Sequence, residues 1–150
     1  IKGLTTAHNG NSKPAETEFF DGKDTKDGVN ILILGTDGRV GDDSTETRTD
    51  SIMVLNVGNK DHQVKLVSFL RDTLIHIDGV SNEYTDPSQA DYYDQKLNSA
   101  YTIGEQNHNR GADYVRQMLK DNFDLDIKYY ALVDFQTFAT AIDTLFPNGV

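Results

Sequence analysis

Gly28-Val29-Asn30-Ile31-Leu32-Ile33-Leu34-Gly35 is the stretch that decides how this chain reads. It is short, almost continuously apolar and bounded by glycine at both ends. A run of this kind reads as a strand buried on both faces. Two more apolar runs follow it. Ser51-Ile52-Met53-Val54-Leu55-Asn56-Val57 is expected to be a second strand, and Val64-Lys65-Leu66-Val67-Ser68-Phe69-Leu70 a third. Gly58 to Gln63 is the turn between them, so the pair reads as a hairpin. Thr73 to Ile77 suggests a short fourth strand, ended by Asp78-Gly79.

Beyond this hairpin, residues 80–95 read as a polar loop and Leu97 to Ile103 as a short helix. Asn109 is placed to cap a helix with apolar positions at Ala112, Val115, Leu119 and Phe123. Ile127 to Val133 reads as another strand. Asp134 then caps a second amphipathic helix, with Phe135, Phe138, Ala139, Ile142, Leu145 and Phe146 on one face and Pro147 and Gly149 to stop it. Residues 1–27 are polar and without period. They read as a flexible lead-in or accessory segment, with Phe19 and Phe20 able to pin it to the body. The expected fold class is α/β (α+β): a mixed central β-sheet flanked by helices, an αβα-type sandwich, over residues 28–150.

Composition narrows the function. The chain has 150 residues, 37% hydrophobic and 25% charged, enough for one domain with a core. Cysteine is absent, which excludes disulfides, thiolate metal sites and cysteine nucleophiles. No apolar run approaches the roughly 18 residues of a membrane-spanning helix. The formal net charge of −10 repels nucleic acid and anionic surfaces at long range. Any anionic ligand must then be held by a local cluster, which directs attention to the five arginines: Arg39, Arg48, Arg71, Arg110 and Arg116.

Three of these gather with two aspartates. A symmetric turn puts the fold point of the hairpin between Lys60 and Asp61, and that register sets Asp50 opposite Arg71. The first strand ends at Gly35, and the loop after it carries Asp37 and Arg39 before delivering the chain to Arg48 and Asp50. If the first and third strands run in the same direction, all five residues meet at one sheet edge. Glycines at 35, 38 and 41 let the backbone turn sharply there. Two carboxylates suit a hard divalent cation such as Mg²⁺, and arginine offers a planar fork that matches phosphate oxygens. Together they suit phosphoryl transfer, where the protein positions groups and neutralises charge. The plainer alternative is a set of rim salt bridges. Gly35-Thr36-Asp37-Gly38-Arg39-Val40-Gly41 has neither dinucleotide-fingerprint nor Walker-loop spacing.

In order, Asn30 to Arg39, Arg48-Thr49-Asp50-Ser51-Ile52-Met53, Val67 to Thr73, Lys96-Leu97-Asn98-Ser99-Ala100-Tyr101 and Tyr129 to Phe135 through Val150 resemble the successive blocks of the LytR-CpsA-Psr family. The resemblance runs from about residue 28 to 150. It implies a Mg²⁺- (or Mn²⁺-) dependent phosphotransferase on the outer face of a Gram-positive cell membrane. Such an enzyme attaches anionic glycopolymers, wall teichoic acid or capsule, from a polyprenyl-pyrophosphate carrier to peptidoglycan. On this resemblance Asp37 and Asp50 are metal ligands, and Arg39, Arg48, Arg71, Lys96 and Asn98 bind pyrophosphate. Arg71 and Asp72 are assigned to catalysis. An N-terminal membrane anchor and a C-terminal arginine segment are expected beyond the residues given.

The chain also departs from the family pattern. Leu70 stands where proline is usual, Gly38 where serine is common, and Pro147-Asn148-Gly149-Val150 where a tighter Gly-Gly-Val is usual. Alternative functions are a non-catalytic lipid-carrier or glycopolymer-binding module, and a polyprenyl-pyrophosphate hydrolase. His8, His62, His76 and His108 lack metal spacing and are expected at the surface. Asp121, Asp124 and Asp126 read as a solvated helix end rather than a calcium loop. Tyr84, Tyr92, Tyr93 and Tyr101 suit either sugar stacking or loop packing. The Phe135/Phe138/Ile142/Leu145 stripe suits core, or contact with a prenyl chain.

Overall fold

The computed structural model describes residues 18–36, 49–76, 94–134, 140, 143–144 and 147–148. Its elements in chain order are β1 (Val29–Thr36), β2 (Thr49–Val57), β3 (Lys65–Phe69), β4 (Leu74–His76), β5 (Asp94–Lys96), α1 (Leu97–Gln106), α2 (Gly111–Phe123) and β6 (Tyr129–Asp134). Four strands form a mixed sheet in the order β3-β2-β1-β6, and β4 and β5 form a separate antiparallel pair. β1 is antiparallel to β2 and parallel to β6, while β2 is antiparallel to β3. β1, β3 and β6 therefore all point the same way.

The apolar run that opened the sequence reading is the inner strand β1. Its alternate residues divide sharply between the two faces. Leu32 and Leu34 are fully buried, whereas Ile31 and Ile33 are only half-buried. The fully buried face meets α1 and α2 through Leu97, Ala100, Tyr101 and Ile103, then Ala112, Val115, Met118 and Leu119. Each of the larger aliphatic side chains among them contributes roughly 1.5–3 kcal/mol relative to exposure. Expected burial on both faces thus holds fully on one face among the described residues. The helical stripe of Phe135 to Phe146, expected as a second layer, lies outside them.

α2 follows its predicted stripe closely. Ala112, Val115 and Leu119 have no exposure, and Phe123, 43% exposed at the end, turns its ring to Phe69 at 5.2 Å. Its start differs from expectation. Asn109 does not cap it: Asn109 lies in the left-handed region at φ 55°, and Arg110 holds the cap position without a side-chain cap bond. The first amide of the helix, on Gly111, instead donates to Glu105 Oε1 of α1 at 3.0 Å. A carboxylate there is favoured by the positive end of the helix dipole. The α1–α2 approach is so close that a β-carbon at Gly111 would meet the Tyr101 ring at 2.7 Å. At the other end Asp124 adopts φ 55° and closes the helix, its amide donating to the Lys120 carbonyl at 2.9 Å.

Residues 18–27 lie against this body. The Lys23 amide donates to the Ile127 carbonyl at 2.8 Å, and the Phe20 ring sits 4.8 Å from Tyr130. Arg110 stacks over Phe19 at 4.2 Å. β5 falls at the end of the stretch expected as a loop. Asp94, Gln95 and Lys96 have no apolar signature, and the pairing with β4 comes from the long-range contact alone.

Candidate phosphate site at the sheet edge

Strand direction brings the C-terminal ends of β1, β3 and β6 and the start of β2 to one edge. The hairpin register is the one the symmetric turn demands: Ile52 opposes Phe69, Met53 opposes Ser68 and Val54 opposes Val67. Continued two residues outward, it sets Asp50 across from Arg71. Arg71 Nη1 donates to Asp50 Oδ1 at 2.9 Å.

The geometry holds a feature the sequence reading missed. On the β1 side Gly35 pairs with Ser51 and Thr36 with Thr49, so Asp50 has no opposite residue and the register shifts there. Asp50 is the extra residue of a β-bulge, a device that re-aims a side chain and recurs beside active sites. Gly35 allows this crowding: a β-carbon there would meet Ser51 Oγ at 2.1 Å. Beside the bulge, Thr49 is fully buried, and its Oγ1 has no hydrogen-bond partner among the described residues.

The Leu70-Arg71-Asp72-Thr73 turn carries the next charges. The Thr73 amide and hydroxyl both donate to the Leu70 carbonyl, at 3.0 and 2.7 Å. Asp72 accepts from Lys96 Nζ at 3.0 Å and lies 3.9 Å from Arg71 Nε. The hydrogen bond from Lys96, reinforced by the Lys96 and Arg71 charges, holds the Asp72 carboxyl below the usual carboxylate range. Asn98 joins through its backbone, its amide donating to the Arg71 carbonyl at 3.0 Å, while the Leu97 amide donates to Thr73 at 2.8 Å. The turn is thereby stitched to the first residues of α1. Asp50, Ser51, Ser68, Phe69, Leu70, Arg71 and Asp72 line one cavity of about 350 Å³.

Of the predicted site residues, Asp50, Arg71, Asp72, Lys96 and Asn98 are thus brought together. Asp37, Arg39 and Arg48 lie outside the described residues. The chain leaves those residues after Thr36 and returns at Thr49, and these two are Cα partners at the same edge. Tyr101 is not available for stacking on a ligand, being 3% exposed in the core. Tyr84, Tyr92 and Tyr93 lie outside the described residues. Asp124 and Asp126 both pair with Lys120, at 2.9 and 3.0 Å, as a helix end does.

The arginine and lysine at this sheet edge offer the charge and donor geometry that suit phosphate oxygens. The chain belongs to the LytR_cpsA_psr family, whose model matches residues 2–150. It is 35% identical over 140 residues to the regulatory protein MsrR of Staphylococcus aureus (strain COL), covering 93% of this chain and 36% of MsrR. It is 31% identical over 120 residues to the polyisoprenyl-teichoic acid–peptidoglycan teichoic acid transferase TagU of Oceanobacillus iheyensis, covering 80% of this chain and 33% of TagU. The chain thus spans about a third of the length of these curated relatives. In fold it is similar to the LytR-CPS2A-psr family protein YwtF (TagT) solved with bound octaprenyl pyrophosphate lipid. That match has a TM-score of 0.53 and 21% identity over 87% of this chain and 42% of TagT.

Proposed function

We propose that this chain is part of a phosphotransferase that moves an anionic cell-wall glycopolymer from a polyprenyl-pyrophosphate carrier to peptidoglycan at the outer face of a Gram-positive cell membrane. The Asp50–Arg71 pair at the bulged sheet edge, with Asp72 and Lys96 beside it, carries this reading. Family membership and the TagU relative support it.

In this reading Arg71 faces the pyrophosphate, joined by Lys96 and by Arg39 and Arg48. A sugar hydroxyl of the acceptor attacks the phosphorus on the glycopolymer side. The bond from that phosphorus to the bridging oxygen breaks, and lipid monophosphate leaves with the electron pair and takes up the hydroxyl's proton. Arg71 lowers the energy of the leaving phosphate by placing fixed positive charge where negative charge grows. Asp72 holds Lys96 and Arg71 toward the same point. Asn98 acts through its amide, which fixes the Arg71 carbonyl and so the direction of the turn.

A magnesium ion is part of the proposal, with Asp37 and Asp50 as its ligands. The donor chemistry fits, since Asp50 offers oxygen and its Oδ2 takes part in no hydrogen bond or ion pair among the described residues. Bound there, the ion would supply Lewis-acid stabilisation of phosphate charge.

The test is turnover of a polyprenyl-pyrophosphate-linked glycopolymer with and without Mg²⁺, with and without peptidoglycan. Transfer requiring both metal and acceptor is expected. Phosphate release independent of acceptor would make the protein a hydrolase, and tight binding without product would make it a binding module.

A further inference from the structure

Residues 18–27 cross the helix hairpin and β6 as a strap. Besides the contacts already described, the Asp21 amide donates to Asp113 Oδ1 of α2 at 3.0 Å. At the head of the strap, Glu18 places its carboxyl among Tyr101 and Glu105 of α1, the Ala112 amide of α2 and Tyr130 of β6. Glu105 is 4% exposed and already accepts from the Gly111 amide. Glu18 Oε2 is sealed from solvent and has no hydrogen-bond partner among the described residues.

Two carboxyl groups therefore converge on the first amides of one helix. The positive end of a helix dipole amounts to roughly half a charge, enough to favour one carboxylate but not two. The cations nearby are committed elsewhere. Arg116 Nε binds Asp113 at 2.8 Å, Arg110 lies over Phe19, and Lys23 on the strap pairs with Asp21 at 2.8 Å. We infer that the strap is a proton-dependent latch, fastened by one proton held between Glu18 and Glu105. The protonated carboxyl gives the orphaned oxygen its hydrogen bond, and loss of that proton to solvent leaves two carboxylates facing each other, one of them buried.

The electrostatics agree with the geometry. Burial, then repulsion by Glu105, pushes the Glu18 carboxyl up to about 8. A carboxyl raised in the docked state strengthens docking below its ordinary range. That contribution is lost as pH climbs towards 8 and is level above it.

Carbon-detected NMR of the glutamate carboxyls in the chain as it stands tests the latch directly. One carboxyl is expected to titrate near 8, and the Phe20 and Lys23 amide signals should move with the same midpoint. Between pH 5 and 8 the docking constant should fall about tenfold per pH unit. Glu18→Gln should flatten the pH dependence of the thermal midpoint over that interval. Glu105→Gln keeps an oxygen for Gly111 and should bring the Glu18 titration down. Titration of Glu18 in the ordinary carboxylate range would overturn the latch. So would strap amides that ignore the titration, or a Glu18→Gln profile that follows wild type. Should Glu18→Gln fail to fold, the wild-type titration and Glu105→Gln still decide.

Discussion

The two ends of the four-stranded sheet solve the problem of strand-end polarity in opposite ways. At the far end a network of neutral amides joins the strands, with the ion pairs Lys65–Asp61 and Lys128–Asp24 outside it. Asn30 Nδ2 donates to the Asp126 carbonyl at 2.8 Å, and Asn56 Nδ2 donates to Asn30 Oδ1 at 2.8 Å and to the Asp27 carbonyl at 3.0 Å. Asn59 closes the set onto Asn56 Oδ1 at 2.7 Å and the Gln63 carbonyl at 2.6 Å. Asn30 and Asn59 are buried. At the near end Arg71, Asp72 and Lys96 are charges exposed by half or more and held in ion pairs, with Asp50 less exposed. A buried amide network adds stability because each partner lost leaves another unsatisfied. Exposed ion pairs add little. One end fastens strands, and on the proposed function the other presents charge to a ligand.

The comparison breaks most visibly at the charged end. Arg71→Ala or Asp50→Ala is expected to lower turnover about 10²–10³-fold, the usual cost of removing a transition-state charge contact. Urea denaturation should show at most about 1 kcal/mol of change. Equal loss of stability and activity would erase the distinction between the ends. Asn56→Ala should do the reverse, costing about 2–3 kcal/mol in the same denaturation assay while turnover per folded molecule stays near wild type.

Asp72→Asn sharpens the picture through pH. Lys96 and Arg71 depress the Asp72 carboxyl, so in wild type the contribution of this ion pair is present above the ordinary carboxylate range. It is lost only as pH falls below about 4. Pyrophosphate affinity by calorimetry should differ between wild type and Asp72→Asn at neutral pH and converge in acid. Leu70→Pro is the mildest change. Leu70 is 80% exposed and opens the turn, so this substitution should shift stability by about 1 kcal/mol or less, with turnover kept.

Much of this was legible in the sequence because it depended on local pattern. Equal strands around a short turn gave the register of β2 and β3, and from it the Asp50–Arg71 contact. The stripe Ala112, Val115, Leu119 gave the buried face of α2. Other features were not legible, for identifiable reasons. The bulge at Asp50 arises between strands, where β1 and β2 fall out of step after Gly35, and nothing within β2 announces it. Asn109 is a favoured cap residue by type, but a carboxylate from the neighbouring helix reaches the amide first. β5 carries no apolar period because its pairing is supplied by β4. Glu18 sits in a stretch without period, and its surroundings come from three elements distant in sequence.

The turn beside the bulge also has an electrical consequence. Asp50, Arg71, Asp72 and Lys96 form a chain of alternating sign that sums to zero. An anion approaching this chain meets cations whose carboxylate counterparts are already in place. On the proposed function, a phosphate accompanied by a divalent ion would bring a substitute for each, the ion for the carboxylates and the phosphate for the arginine. Among the described residues the charge of this edge is thus balanced at rest, and on the proposed function a phosphate that arrives with its own counter-ion would disturb that balance least.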